Sequence, residues 1–295
     1  MGDLVSIVVL SYNYSGFIEK TIRSLAEQDY NNVEIIVIDD GSTDDSVEVL
    51  KSLQSFINFK LFSKENGGVV SAINLGIEKA NGVYIILHAC DDISLPRRVS
   101  NQVSTFIKYP DAVFVSSNVS LVNADGHYQK DLFKRECEKI INIDDALLGG
   151  GIASVGCIYK TEILKVNKLD EKYIAEDPQI HLLLLSDGGY AVIDHSEPVL
   201  NYYLRTGSQM GTRFEELTLQ HMDLLGQYKD NKNFKIAFRR VQVVYISFLS
   251  EINKKKAILY VMNNPLLMIS PGIKRVILKM ILPKYFHHIF KNIRT

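Results

Sequence analysis

With 295 residues, 46% of them hydrophobic, the chain can bury a large core, which excludes a disordered or fibrous protein. Its net charge of −1 hides an asymmetry, because residues 229–295 hold 14 Lys and Arg against only Asp230 and Glu251. An acidic body therefore precedes a basic tail, while three cysteines, Cys90, Cys137 and Cys157, lack metal-ligand spacing and suit a reducing, cytoplasmic compartment.

Residues 5–10 form a continuous β-branched run, as in a strand buried on both faces of a parallel sheet. No basic segment precedes it and it is too short to span a bilayer, so neither a signal peptide nor a transmembrane helix is expected. The run ends at polar Ser11, Tyr12 and Asn13, after which Ile18, Ile22 and Leu25 recur at helical spacing. A second strand over 33–38 stops at Asp39 and Asp40, and Ser42 or Thr43 is placed to cap a helix through Val47, Leu50 and Leu53. Next come a short strand at 59–62, a loop carrying Asn66 and Gly67, a helix through Ala72, Ile73 and Ile77, and a strand over 83–87 before Asp91 and Asp92.

Strands alternating with helices predict an α/β fold, a Rossmann-like, mostly parallel central sheet flanked by helices. Further strands are expected at 112–116, 121–122, 154–159 and 191–193, and a helix at 179–185. From Phe214 the pattern is helical only, which divides the chain into a domain over 1–213 and a basic helical extension over 214–295. In its last stretch, 272–294, cations interleave with aliphatics. That pattern suits an anionic membrane surface, or a packing helix with a solvated face. No nucleic-acid reader motif accompanies the cations, so no nucleic-acid partner is expected.

Ligands of such sheets bind at the carboxyl ends of the strands, where this sequence gathers Ser11, Asn13, Asp39, Asp40, Asp91 and Asp92. Clustered carboxylates repel one another and call for a cation or hydrogen-bond donors. A divalent metal holding a diphosphate meets both needs, and oxygen-rich ligation suits Mg2+ or Mn2+. Structural roles compete: Asp39 to Ser42 can be a turn, and Asp92 and the Glu176-Asp177 pair can cap helices. No Gly-x-Gly-x-x-Gly follows the first strand, which disfavours a dinucleotide-dependent oxidoreductase.

Residues 5–13, 37–44, 66–76 and 91–96 resemble, in order and spacing, the inverting family-two glycosyltransferases with the GT-A fold. The likeness runs through residues 4 to 210. It implies sugar transfer from a nucleotide-diphosphate donor, a uridine diphosphate sugar, to a glycan or lipid-linked saccharide of surface-polysaccharide synthesis. By it, Ser11, Tyr12, Asn13, Asn66, Gly67 and Asp92 would bind the donor, with Asp39 at the base, Asp40 toward the ribose and Asp91 on the metal. Asp177, in a glutamate-aspartate motif, would be the general base, and Arg205 would reach the diphosphate, unless it is a solvated charge. The sequence departs from the family pattern at Ala89, where an aspartate is usual, and at Ile73, where an arginine often faces the donor. These departures raise the alternative of a catalytically impaired nucleotide-sugar-binding or scaffold protein.

Overall fold

The leading apolar run forms β1 (Val5–Ser11), followed by α1 (Ile18–Ala26), β2 (Val33–Asp39), α2 (Ser46–Leu53), β3 (Lys60–Ser63), α3 (Val69–Lys79) and β4 (Tyr84–Ala89). After them come β5 (Ile93–Ser94), α4 (Arg98–Lys108), β6 (Phe114–Val122), β7 (Tyr128–Asp131), β8 (Lys139–Ile141) and α5 (Ile143–Leu147). A 3-10 turn, Ser154–Gly156, leads into β9 (Cys157–Lys160), α6 (Thr161–Val166), α7 (Glu176–Ser186) and β10 (Ala191–Tyr203). In this computed structural model the described residues are 2–136, 138–204, 213–270, 272–274 and 276–277, and the chain divides into two compact units, Met1–Thr206 and Gly207–Thr295.

The first unit is an α/β sandwich around one ten-stranded sheet, ordered β3-β2-β1-β4-β9-β6-β10-β5, with β7 beside β6 and β8 beside β10. From β3 to β4 every pairing is parallel, with Ser11 opposite Asp39 and Leu10 opposite Ala89. That register brings the polar strand ends to one edge. Beyond β4 the sheet turns mixed, because β9 enters antiparallel to both β4 and β6. One apolar cluster packs α1, α2 and α4 on one face through Ile18, Ile22, Leu50, Val99 and Phe106. Another packs α3 and α7 on the opposite face through Val70, Ile73, Ile77, Ile180 and Leu184. At Gly76 a β-carbon would lie 2.3 Å from Val8 Cγ1, so its absence lets α3 approach β1 closely.

Several boundaries differ from expectation. Ser42 and Thr43 are held by Asp39 and Asn13, so α2 starts later, with Asp45 at its N-cap. The strands expected at 112–116 and 121–122 are one strand, β6, which starts at Phe114 and whose buried Asn118 both donates to and accepts from the backbone of Phe133. A satisfied amide lets a polar residue continue through the interior. Residues 154–156 form a 3-10 turn, and the strand begins at Cys157. The helix expected at 179–185 starts earlier, with α7 beginning at Glu176.

The second unit contains α8 (Phe214–Gly226), α9 (Phe234–Ile252), α10 (Lys254–Asn263) and a 3-10 helix, Pro265–Ile269. Met222, Tyr245, Ile246, Leu249, Ala257 and Leu267 form its core. Most of the amphipathic stretch expected over 272–294 lies outside the described residues.

Candidate active site

Asp39, the last residue of β2, is 1% exposed, and Ser42 donates to both of its oxygens, from the backbone N–H at 3.0 Å and the hydroxyl at 2.5 Å. Opposite it, Ser11 is equally deep, its Oγ unpartnered apart from the soft thiol of Cys90 beside it. Tyr12 stands 36% exposed at the rim, and Asn13 adopts a left-handed backbone with φ of 60°. Asparagine tolerates that conformation through its short polar side chain. Its Oδ1 accepts from the Thr43 N–H at 2.8 Å, and its own N–H donates to Ser42 Oγ at 2.9 Å.

A second stitch joins the same loops. The N–H groups of Tyr14 and Ser15 donate to Ser46 Oγ and Asp44 Oδ2 at 2.9 and 3.1 Å. Burial pushes the Asp44 carboxyl up, but hydrogen bonds from Ser46 and Ser15 outweigh it and hold the group down to about 2. Asp40 is also occupied: it accepts from Lys64 Nζ at 2.8 Å and from the N–H groups of Gly67 and Gly68 at 3.0 and 2.8 Å. Its carboxylate thus anchors the exposed loop carrying Asn66 and Gly67. A β-carbon on Gly41, at φ +74°, would meet the Asn66 nitrogen at 2.8 Å, so that turn requires glycine.

At the end of β4, Ala89 and Asp91 keep partial exposure, whereas Asp92 is buried and accepts from the Tyr203 N–H at 3.4 Å. Asp92 caps no helix, since α4 starts at Arg98 with Arg97 at its N-cap. Thr21 Oγ1 donates to the carbonyls of Cys90 and Asp92 at 2.8 and 3.0 Å, so α1 braces this loop from behind. The antiparallel pairing of β5 with β10 brings the tyrosine-rich 201–203 segment alongside it. Arg205 lies outside the described residues. Ile73 is fully buried on the inner face of α3, in the apolar cluster against the sheet.

Glu176 and Asp177 occupy the first turn of α7, where Ala175 is the N-cap and no side chain caps the helix. Both keep partial solvent access. The surrounding protein strips water from the Asp177 carboxyl, and with the neighbouring Glu176 charge this drives it well above the ordinary carboxylate range, although Ser154 donates to it.

Among the described residues no group of three His, Cys, Asp or Glu side chains is placed to hold a metal ion. With alanine at 89, Asp91 is the part-exposed carboxylate at the end of β4. That arrangement fits a divalent ion held chiefly by diphosphate oxygens and water, with a single protein ligand.

The sequence pattern did not point to Lys64, Ser154, Arg98 or Gln102. The last two had a signal: they sit four apart on α4, interleaved with apolar Val99, Val103 and Phe106, so two polar side chains enter the buried stripe.

The family model described as Glycosyl transferase family 2 matches residues 6–166. The glycosyltransferase GlyA of Streptococcus pneumoniae is 26% identical over 220 residues, which cover 70% of this chain and 31% of that protein. An uncharacterized glycosyltransferase of Haemophilus influenzae is 33% identical over 129 residues, 43% of this chain and 51% of the relative. The chain thus spans about half or less of the length of the curated relatives it matches. Among solved structures, S. aureus TarS 1-349 in complex with UDP-GlcNAc aligns with a TM-score of 0.62 at 16% identity, covering 92% of this chain and 90% of that one. The mannosyltransferase PcManGT from Pyrobaculum calidifontis, in complex with GDP-Man and Mn2+, aligns at 0.60 and 14% identity, covering 99% and 89%. At such identities the likeness establishes the GT-A fold.

Proposed function

The chain belongs to glycosyl transferase family 2, and from that premise we propose that it is an inverting glycosyltransferase that moves a sugar from a uridine diphosphate donor to a glycan or lipid-linked acceptor of surface-polysaccharide synthesis. The observation that carries this reading is the register that brings Ser11, Asp39 and the end of β4 before Asp91 to one edge of the sheet, and the raised Asp177 carboxyl supports it. UDP and UDP-GlcNAc in the TarS complexes favour a uridine donor.

In this reading Ser11 and Asp39 take the nucleoside, Tyr12 lies against its base, and the Asn66-Gly67 loop, anchored by Asp40, borders the pocket. Asp177 accepts the proton of the attacking acceptor hydroxyl as the bond to the anomeric carbon forms. Displacement from the opposite side of the departing diphosphate inverts that centre and needs no protein nucleophile. Asp91 would hold Mn2+ or Mg2+, which when bound neutralises charge on the leaving diphosphate.

We also place the protein in the cytoplasm, peripheral on the inner face of the membrane. Among the described residues no helix is long and apolar enough to cross a bilayer. Ile258, Leu259, Met262, Leu266, Met268 and Ile269 are exposed on α10 and the 3-10 helix, next to the basic run Lys254 to Lys256. Sedimentation with anionic vesicles should show salt-sensitive binding, and its absence would sink this part.

A panel of nucleotide sugars assayed for diphosphate release with Mn2+ is the direct test of the enzyme. Ala89 favours the second reading, a nucleotide-sugar-binding protein without turnover. UDP binding with no release from any sugar would decide for it.

A further inference from the structure

Arg98 is among the largest fully buried side chains of the molecule, at 1% exposure. Its Nη2 donates to the carbonyls of Val155 and Cys157 at 3.0 and 3.4 Å, while Gln102, one turn further along α4, donates from Nε2 to the carbonyl between them, that of Gly156, at 2.7 Å. Three successive carbonyls, the last two of the 3-10 turn and the first of β9, are therefore gripped from one helix. The turn leads into Cys157 and Tyr159 of β9, whose Sγ and Oη lie 3.7 and 3.2 Å from Nε2 of His181, one turn along α7 from Asp177, and the Ser154 side chain on the turn itself lowers the Asp177 carboxyl.

The other arm of the guanidinium reaches the donor side. Nη1 donates to Ser94 Oγ at 3.2 Å, and Ser94 Oγ lies 3.0 Å from His88 Nε2. His88 Nδ1 lies 2.7 Å from the carbonyl of Ala89, which can only accept, so Nδ1 carries the ring proton and Nε2 accepts from Ser94. A neutral imidazole agrees with the burial and the Arg98 charge that push His88 down to about 3. Asp92 is the acidic group whose charge supports Arg98.

A buried cation is a poor way to stabilise a core, since an apolar residue of similar volume packs there without desolvating a charge. What Arg98 supplies instead is a fixed link between two loops. We propose that Arg98, with Gln102, is a positioning residue that locks the 3-10 turn carrying Ser154 to the β4-end loop carrying Asp91 and Asp92, holding the base and the donor site in one geometry. The proposal rests on Asp177 being the base.

Arg98→Lys keeps the charge but loses the planar fork that serves Ser94 and two carbonyls together. It is expected to lower kcat by about tenfold or more, with donor KM changed by less than about threefold, because alignment rather than contact is lost. The more conservative Gln102→Leu and Ser154→Ala cover the case in which Arg98→Lys does not fold, as judged by circular dichroism.

The pH profile separates positioning from simple destabilisation. Loosening the Ser154 hydroxyl removes a bond that favours the ionised carboxylate, so the acid limb of kcat moves to higher pH in all three variants. The other titratable groups that sense Asp177 are Glu176 on its own helix and Cys157 and Tyr159 on β9. All three are unchanged in these variants. Folded variants with wild-type kcat and an unmoved acid limb would overturn the role of Arg98 while leaving the transferase reading intact. Wild-type turnover by Asp177→Asn would instead remove the base assignment, and this role with it.

Discussion

Around the donor-side loops, between Asn13 and Gly68, order comes from short side-chain-to-backbone hydrogen bonds near the surface, such as Asn13 with Thr43 and Asp40 with Gly67. Around Asp177 it comes from inside, where α4 inserts a buried arginine and glutamine beneath a turn. The first arrangement is divided among many small contacts, each replaceable in part by water. The second concentrates its order in a few dry groups, so loss of one leaves buried partners unsatisfied. Substitutions on the Asp177 side should therefore cost catalysis, and substitutions on the donor side should cost affinity in smaller steps.

The largest effect is expected at the base. Asp177→Asn should lower kcat by roughly 10²–10⁴-fold with UDP affinity nearly unchanged, read by diphosphate release and calorimetry. Glu176→Gln gives the sign test. Burial and then the Glu176 charge raise the Asp177 carboxyl, so removing that charge lowers it and moves the acid limb of kcat to lower pH. A limb that stays in place would mean that Asp177 does not set it.

On the donor side, Asp39→Asn sets an amide N–H against one of the two Ser42 donors. The resulting unpaired contact should weaken UDP binding by about tenfold, as a buried donor left unsatisfied costs ~1–3 kcal/mol. A larger effect on kcat than on UDP affinity would break the contrast between the two regions.

That contrast also explains what could be read from the sequence. The donor half is local: β-branched runs ending in Ser11, Asp39 and Asp91 announce buried parallel strands and their polar ends, and the register merely aligns them. The family resemblance sets Asp40 toward the ribose, whereas the anchoring of the loop at Gly67 and Gly68 by its carboxylate is a pairing 27 and 28 residues distant that no spacing rule contains. The grip of Arg98 on Val155 spans 57 residues and passes through the antiparallel insertion of β9, which interrupts the strand-helix alternation. Buried Asn118 hid the continuity of β6 for the same reason, since its partner at Phe133 arrives only with the folded chain.

A smaller effect is expected from Ala89→Asp. The position sits at the end of β4, close to Asp91 in sequence and part-exposed. A second carboxylate there should tighten Mn2+ binding in the presence of UDP by on the order of tenfold, as added ligand charge does at hard-cation sites. Unchanged metal affinity would show that residue 89 points away from the diphosphate.

The smallest effect tests whether the amino ends of the donor-half strands are separable from the site at their carboxyl ends. Glu34, early in β2, accepts from Ser6 Oγ and the Asn81 N–H, both at 2.7 Å, and from Lys60 Nζ at 2.8 Å. Burial alone raises its carboxyl, but the bonds from Lys60, Ser6 and Asn81 outweigh it and hold the group at about 2, below its ordinary 4.5. A depressed folded value stabilises the protein above the unfolded pKa, and that contribution disappears as pH falls from about 4.5 to about 2. After discounting for solvent screening, Glu34→Gln should cost about 1 kcal/mol near neutrality, a fall in Tm of a few degrees. The gap between variant and wild type should close through that acid window, because protonated Glu34 and glutamine are nearly equivalent. Donor KM and kcat should stay at wild-type values, and a variant that lost activity without losing Tm would show that the two ends of the sheet are coupled.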